Sequence, residues 1–181
     1  MISTNSIFNT TVTLIFILVV SVFLTNCSKD NPVNVDPEEV AGTFDFTNYE
    51  FIPDASAIQT ANVLDTLVTA NTNIRLIAGG QFILSYQFEN GPESVLIGNF
   101  NVTDSNITLT VDGGNETRMA SLLLHSPLEF TRISNTNRLS LSANRTVDLS
   151  AFSDQYDGIP PVAGRLEIEL ERRSTVQSFW E

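Results

Sequence analysis

"GRLEIELERR", Gly164 to Arg173, sets Leu166, Ile168 and Leu170 at every second position, with Arg165, Glu167, Glu169 and Glu171 around them. Successive side chains of an extended strand point to opposite faces, so this stretch is a strand with one apolar and one charged face. A helix would scatter the same residues around its axis. The spacing recurs upstream in Phe82, Leu84, Tyr86 and Phe88, in Ile107, Leu109 and Val111, and in Leu139, Leu141 and Ala143. Strands wet on one face belong to antiparallel sandwiches or barrels, not to a parallel sheet covered by helices on both sides.

Turn signals separate these runs: Ala78-Gly79-Gly80, Asn90-Gly91-Pro92, Thr103-Asp104-Ser105-Asn106, Asp112-Gly113-Gly114-Asn115 and Ser134-Asn135-Thr136-Asn137. Gly and Asn tolerate positive φ and close hairpins, and their spacing of about ten residues describes a meander. The pattern predicts eight strands near 42–52, 72–78, 81–89, 94–103, 106–112, 117–133 with a break at Pro127, 138–150 and 163–173. Ala55 to Ala70 fits a short amphipathic helix as well as a strand, because Ile58, Ala61, Val63, Leu64, Leu67 and Val68 suit either period. Phe152 to Val162, with Pro160 and Pro161, reads as a long loop where pairing stops.

The chain of 181 residues is sized for one domain plus extras. Nine Lys and Arg against 21 Asp and Glu give a formal charge of −12, which repels phosphate backbones; nucleic acid is not an expected partner. Residues 1–26 hold no charged side chain, and from Val12 to Leu24 only Thr13 and Ser21 interrupt an apolar run. As a helix that run spans roughly 20 Å, short of the roughly 30 Å of hydrocarbon that a membrane span must cross. It reads as a secretory signal, although its positive n-region rests on the α-amino group alone.

The run ends at Leu24-Thr25-Asn26-Cys27, which resembles the lipobox of bacterial lipoproteins; Asn26 stands where that family prefers a small residue. The resemblance implies cleavage before Cys27 and acylation of its thiol, and so a membrane partner reached through acyl chains. A lone Cys has no internal disulfide partner. Each buried methylene contributes about 0.8 kcal/mol, so the several chains of a lipoprotein Cys hold stably where one would not. Residues 27–40, rich in Pro and acids, read as an extended tether. Lys29-Asp30 looks like the short charged signals that send some Gram-negative lipoproteins to the outer face of the outer membrane.

"GTFDFTNYEF", "GGQFILSYQF", "IGNFNVTDSNITLTVD", "NRLSLS" and "GRLEIELERR" together resemble the lipocalin-like domains of bacterial secreted lipoproteins. Gly42-Thr43-Phe44 stands where the broader pattern has Gly-x-Trp. The resemblance implies an all-β fold, an antiparallel up-and-down β-barrel of about eight strands over 41–175, followed by a tail at 176–181. It also implies that the aromatic of the first strand, Phe44, is covered at the closed end by an Arg of the last, Arg172. An eight-stranded barrel is just wide enough to fill with its own side chains or to hold one small ligand. Phe82, Leu84, Tyr86, Ile107 and Leu109 are the candidate lining residues for a small apolar or lipid-like ligand.

Chemistry is sparse. His125 is the sole imidazole, Ser126 is merely its neighbour in sequence, and no Gly-x-Ser-x-Gly elbow occurs, so no catalytic residue is assigned and an enzyme is not expected. One His and one lipidated Cys cannot fill a transition-metal site. The oxygen-rich turns at Asp154 and Asp157, and at Asp112, Asn115 and Glu116, match no calcium loop, so neither metal nor cofactor is assigned. Glu167, Glu169 and Glu171 are a solvent-facing row that discourages edge pairing, not a pair of glycosidase carboxylates. The six Asn-x-Ser/Thr triplets, at Asn9, Asn26, Asn101, Asn106, Asn115 and Asn144, and the Asp65-Thr66-Leu67 glycan-like triplet carry no assignment. The leading expectation is an envelope lipoprotein whose barrel binds an apolar ligand. Its alternative is a filled barrel that acts as a structural or interaction module for a protein or glycan.

Overall fold

The computed structural model describes residues 35–133 and 136–174. The signal segment, Cys27, the tether as far as residue 34 and the tail lie outside the described residues. The end of the tether, expected to be extended, instead makes one helical turn, α1 (Pro37–Val40). Asp36 caps it by accepting from the Glu38 N–H, and Pro stands at the first helical position, where its missing N–H costs nothing.

Nine strands follow among the described residues: β1 (Gly42–Pro53), β2 (Ala61–Asn62), β3 (Asn73–Leu76), β4 (Gln81–Gln87), β5 (Glu93–Val102), β6 (Asn106–Val111), β7 (Leu128–Arg132), β8 (Arg138–Val147) and β9 (Val162–Arg172). Neighbours pair antiparallel in the order β2-β1-β3-β4-β5-β6-β7-β8-β9, and β9 returns to β1 from Phe44↔Arg172 to Pro53↔Gly164. The sheet is therefore a closed eight-stranded barrel with the two-residue β2 as an extra. Strand β1 is long enough to serve three neighbours: its first residues pair with β3, Glu50 and Phe51 pair with β2, and most of its length pairs with β9.

One detail of β1 is written in the sequence. Phe44 and Phe46 face inward at spacing two, but the next inward residues are Tyr49 and Phe51, one position out of phase. A bulge between Phe46 and Asn48 absorbs the extra residue, and the rings of Phe46 and Tyr49 stack at 5.3 Å.

The alternating strands give the barrel two unlike ends. At the entry end lie α1 and the short connections 77–80 and 103–105. At the loop end lie the long connections 54–72, 112–127 and 148–161. Two of these correct the sequence reading. The segment 55–70 is neither a regular helix nor a full strand: it holds β2 and two 3₁₀ turns at Leu64–Thr66 and Thr69–Asn71. Its apolar residues dip one at a time into the barrel mouth, while its backbone bonds to β1 through Val63 N–H to Tyr49 O and to β4 through Val68 N–H to Gln87 O.

The expected strand at 117–133 is a short helix, α2 (Glu116–Ser121), then an irregular run, then β7. Helix α2 stops in a Schellman turn: Leu124 N–H donates to Met119 O, and Leu123 N–H donates to Ala120 O. Leu123 takes the left-handed position, φ 55°, where glycine is usual. That conformation costs a branched side chain about 1–2 kcal/mol, which the burial of Leu123 offsets.

Glycine is required where strands cross closely. A Cβ on Gly98, which sits opposite Phe82, would lie 2.1 Å from Thr110 O and 2.7 Å from Phe82 Cε1. A Cβ on Gly79 would meet nothing within 4 Å. Gly98→Ala should therefore destabilise the barrel by about 1–3 kcal/mol through overpacking, read as a lowered urea midpoint at unchanged slope. Gly79→Ala should stay within about 0.5 kcal/mol of the parent.

Candidate functional site

The barrel interior is the natural place for a site, and its strands fill it. The inward apolar side chains of β1 through β7 are buried, including Phe82 at 0 %, Leu84 at 2 %, Tyr86 at 3 %, Ile107 at 0 % and Leu109 at 1 % exposure. These five residues do converge on one interior, but as packed core. Phe82, Leu84, Tyr86 and Leu109 border none of the four depressions described below.

The loop end, where a barrel of this kind would open, is stoppered by apolar residues from the connections themselves. Val63 and Leu67 from the first, Leu122, Leu123 and Leu124 from the second, and Leu149 and Tyr156 from the third are all buried. The Tyr49 hydroxyl, deep in β1, donates to the Leu122 carbonyl and ties this plug to the wall. Burial pushes the Tyr49 phenol well above its ordinary value of 10.0, with the neighbouring Tyr86 adding to the shift. The outer face of β9 is polar: Glu167, Glu169 and Glu171 point outward, with Glu167 paired to Arg165 at 2.6 Å and Glu171 to Arg138 at 3.2 Å. On the outer face of β5, Val95 and Ile97 are exposed. No helix among the described residues is long and apolar enough to cross a membrane.

At the entry end, Phe44 and Arg172 are direct partners across the β1–β9 ladder. Phe44 is buried at 4 %, and the half-buried guanidinium of Arg172 donates to Ala41 O and lies against Gly42. Beside them is a depression of about 330 Å³. Arg132, Arg138 and Arg172 share its wall with Glu39 and Asp104 over an apolar floor that includes Phe44, Ile107 and Leu139. Sequence reasoning had no means of finding this group, because its arginines come from β7, β8 and β9.

Three smaller depressions are among those elsewhere: one beside α2 with Met119 and His125, one on the outer wall with Asp54 and Asn144, and one between Ile58 and Tyr156. His125 is exposed. Ser126 Oγ accepts from Val111 N–H, a structural bond that holds the plug to β6. Asp112, Asn115 and Glu116 form a self-contained turn in which Asn115 Nδ2 donates to Asp112 O and Gly114 N–H to Glu116 Oε1. Asp154 and Asp157 are exposed at the ends of a 3₁₀ turn. Among the described residues, no three His, Cys, Asp or Glu side chains are grouped to hold a metal ion.

No family model and no curated protein matches the chain. Among solved structures it is similar to the crystal structure, at 2.60 Å resolution, of an uncharacterized protein from Bacteroides eggerthii DSM 20697. That match has 13 % identity and a TM-score of 0.35, and it covers 74 % of this chain and 98 % of that one.

The plug generates a prediction. Tyr49→Phe leaves the buried Leu122 carbonyl unpaired and should cost about 1–3 kcal/mol. Because the folded phenol titrates above the unfolded one, the native state keeps its proton where the unfolded state has lost it. The contribution of Tyr49 is thus full below about pH 10 and declines as pH rises beyond that. Urea titrations between pH 8 and pH 11 should show an alkaline loss of stability that is smaller in Tyr49→Phe.

Proposed function

We propose that this chain is a lipid-anchored protein of a Gram-negative cell envelope, held in the outer membrane through acyl chains on Cys27. Its barrel is a rigid module that works through its outer surface and loops, not an apolar carrier and not an enzyme. The observation that carries the module over the carrier is the interior itself. The five candidate lining residues are 0–3 % exposed, and the mouth is filled by seven buried loop side chains. A ligand of drug size needs a cleft of roughly 300–1,000 Å³ that buries most of its surface, and an occupied interior leaves that volume to no guest. The anchor rests on the sequence alone, on the uncharged leader and on Leu24-Thr25-Asn26-Cys27.

Two measurements test the two halves separately. Mass spectrometry of the chain extracted from its own membranes should find an N-terminus at Cys27 carrying acyl chains, and Cys27→Ser should abolish them. An intact Met1 with an unmodified thiol would remove the anchor. Titration with the apolar fluorophore N-phenyl-1-naphthylamine should give no saturable enhancement at one equivalent beyond that of the detergent alone. A saturable signal lost in Leu84→Trp would restore the carrier.

A further inference from the structure

The depression at the entry end brings three arginines into one wall of a strongly acidic chain. Of the arginines in its wall, Arg138 is neutralised by Glu171. Arg132 and Arg172 have no carboxylate partner among the described residues. Arg132 Nη1 donates at 3.2 Å to Thr103 O and at 3.5 Å to Asp104 O, and Arg172 Nη2 donates to Ala41 O. Both guanidinium groups are half-buried and held in place by neutral backbone carbonyls. Among the described residues neither forms an ion pair, although Glu39 and Asp104 stand in the same wall and the whole chain carries 21 acids.

A guanidinium has five N–H donors in a planar fork, so each of these two keeps most of its donors after its backbone contacts. Two positive charges held by neutral carbonyls and left with spare donors share one wall, and guanidinium N–H groups donate well to a tetrahedral oxyanion. The depression, about 330 Å³, exceeds the volume of a phosphate group, and its floor of Phe44, Ile107 and Leu139 is apolar. It also adjoins α1: Val40 is part of its wall.

We propose that this depression binds a phosphate group through Arg132 and Arg172, either in a lipid headgroup or as a free phosphate. The proposal goes beyond the envelope module and does not depend on acylation, because Arg132 and Arg172 come from the barrel strands β7 and β9.

The test uses the full chain in non-ionic maltoside micelles with 150 mM chloride and follows the arginine Nε–Hε resonances by NMR. Inorganic phosphate and micelles doped with phosphatidylglycerol are titrated in parallel arms. Saturable shifts of Arg132 and Arg172, with Arg165 unmoved, are expected, along with an affinity reduced at least tenfold in Arg132→Gln. Saturation by inorganic phosphate alone assigns the free ion, and saturation only with the doped micelles assigns the headgroup. Arg132→Lys keeps the charge without the fork and should retain part of the binding. It serves as the folding check on Arg132→Gln, together with an unchanged amide spectrum. Shifts that never saturate in either arm, or equal losses in Arg132→Gln and Arg165→Gln, would overturn the proposal. An unacylated Cys27 would leave it standing.

Discussion

Closure of β1 onto β9 is the constraint on which everything else in this protein depends. An open sheet of these strands would expose one apolar face and two unpaired edges. Pairing Phe46 with Leu170, Tyr49 with Ile168 and Phe51 with Leu166 removes both edges and converts that face into an enclosed core. The outward face of the same ladder is acidic, with Glu50 opposite Glu167 and Asp45 opposite Glu171. Interspersed arginines moderate it: Arg173 bonds to Asp45 at 2.6 Å, and Arg165 and Arg138 bond to the β9 glutamates. Exposed pairs of this kind contribute about 0–1 kcal/mol each, so the apolar seam holds the barrel shut and the charges keep its outside in water.

Once closed, an eight-stranded cylinder has room for its own side chains or for one small guest, and the choice is made by residue size and by what covers the mouth. Large inward residues dominate here, with Phe44, Phe46, Tyr49, Phe51, Phe82, Tyr86, Phe100 and Phe130 all buried. Gly98 and Gly164 are the exceptions, and each gives up its side chain so that an aromatic ring can lie across it, Phe82 in one case and Phe51 in the other. The loop-end connections complete the filling with Val63, Leu67, Leu122, Leu123, Leu124, Leu149 and Tyr156.

The period-two runs made the strands legible. β9, β4, β6 and the start of β8 stand where alternation placed them, because each has one face in the core and the other in water. The phase slip between Phe46 and Tyr49, which the strand expected at 42–52 did not include, is the bulge. Two stretches were not legible. In 117–124, Met119, Leu122 and Leu123 sit at the i, i+3, i+4 spacing of a helix, but the consecutive Leu122-Leu123-Leu124 and the following β7 read as one continuous strand. The apolar side chains of residues 55–70 suited either period because Ala61, Val63 and Leu67 are buried separately from β2 and 3₁₀ turns, a shape that neither period describes. The arginine-walled depression was illegible for a different reason: Arg132, Arg138 and Arg172 share it only through barrel closure. Whether the inward residues line a cavity or fill it was equally beyond a linear reading, since both use the same residues at the same spacing.

Long-range nuclear Overhauser effects across the β1–β9 seam measure closure most directly. Cross-strand contacts are predicted between Phe46 and Leu170 and between Phe51 and Leu166, with the Tyr49 and Ile168 amides among the slowest to exchange with deuterium. Absence of those contacts, with β1 and β9 amides exchanging as fast as those of solvent-exposed edge strands, would contradict the closed barrel and the account built on it.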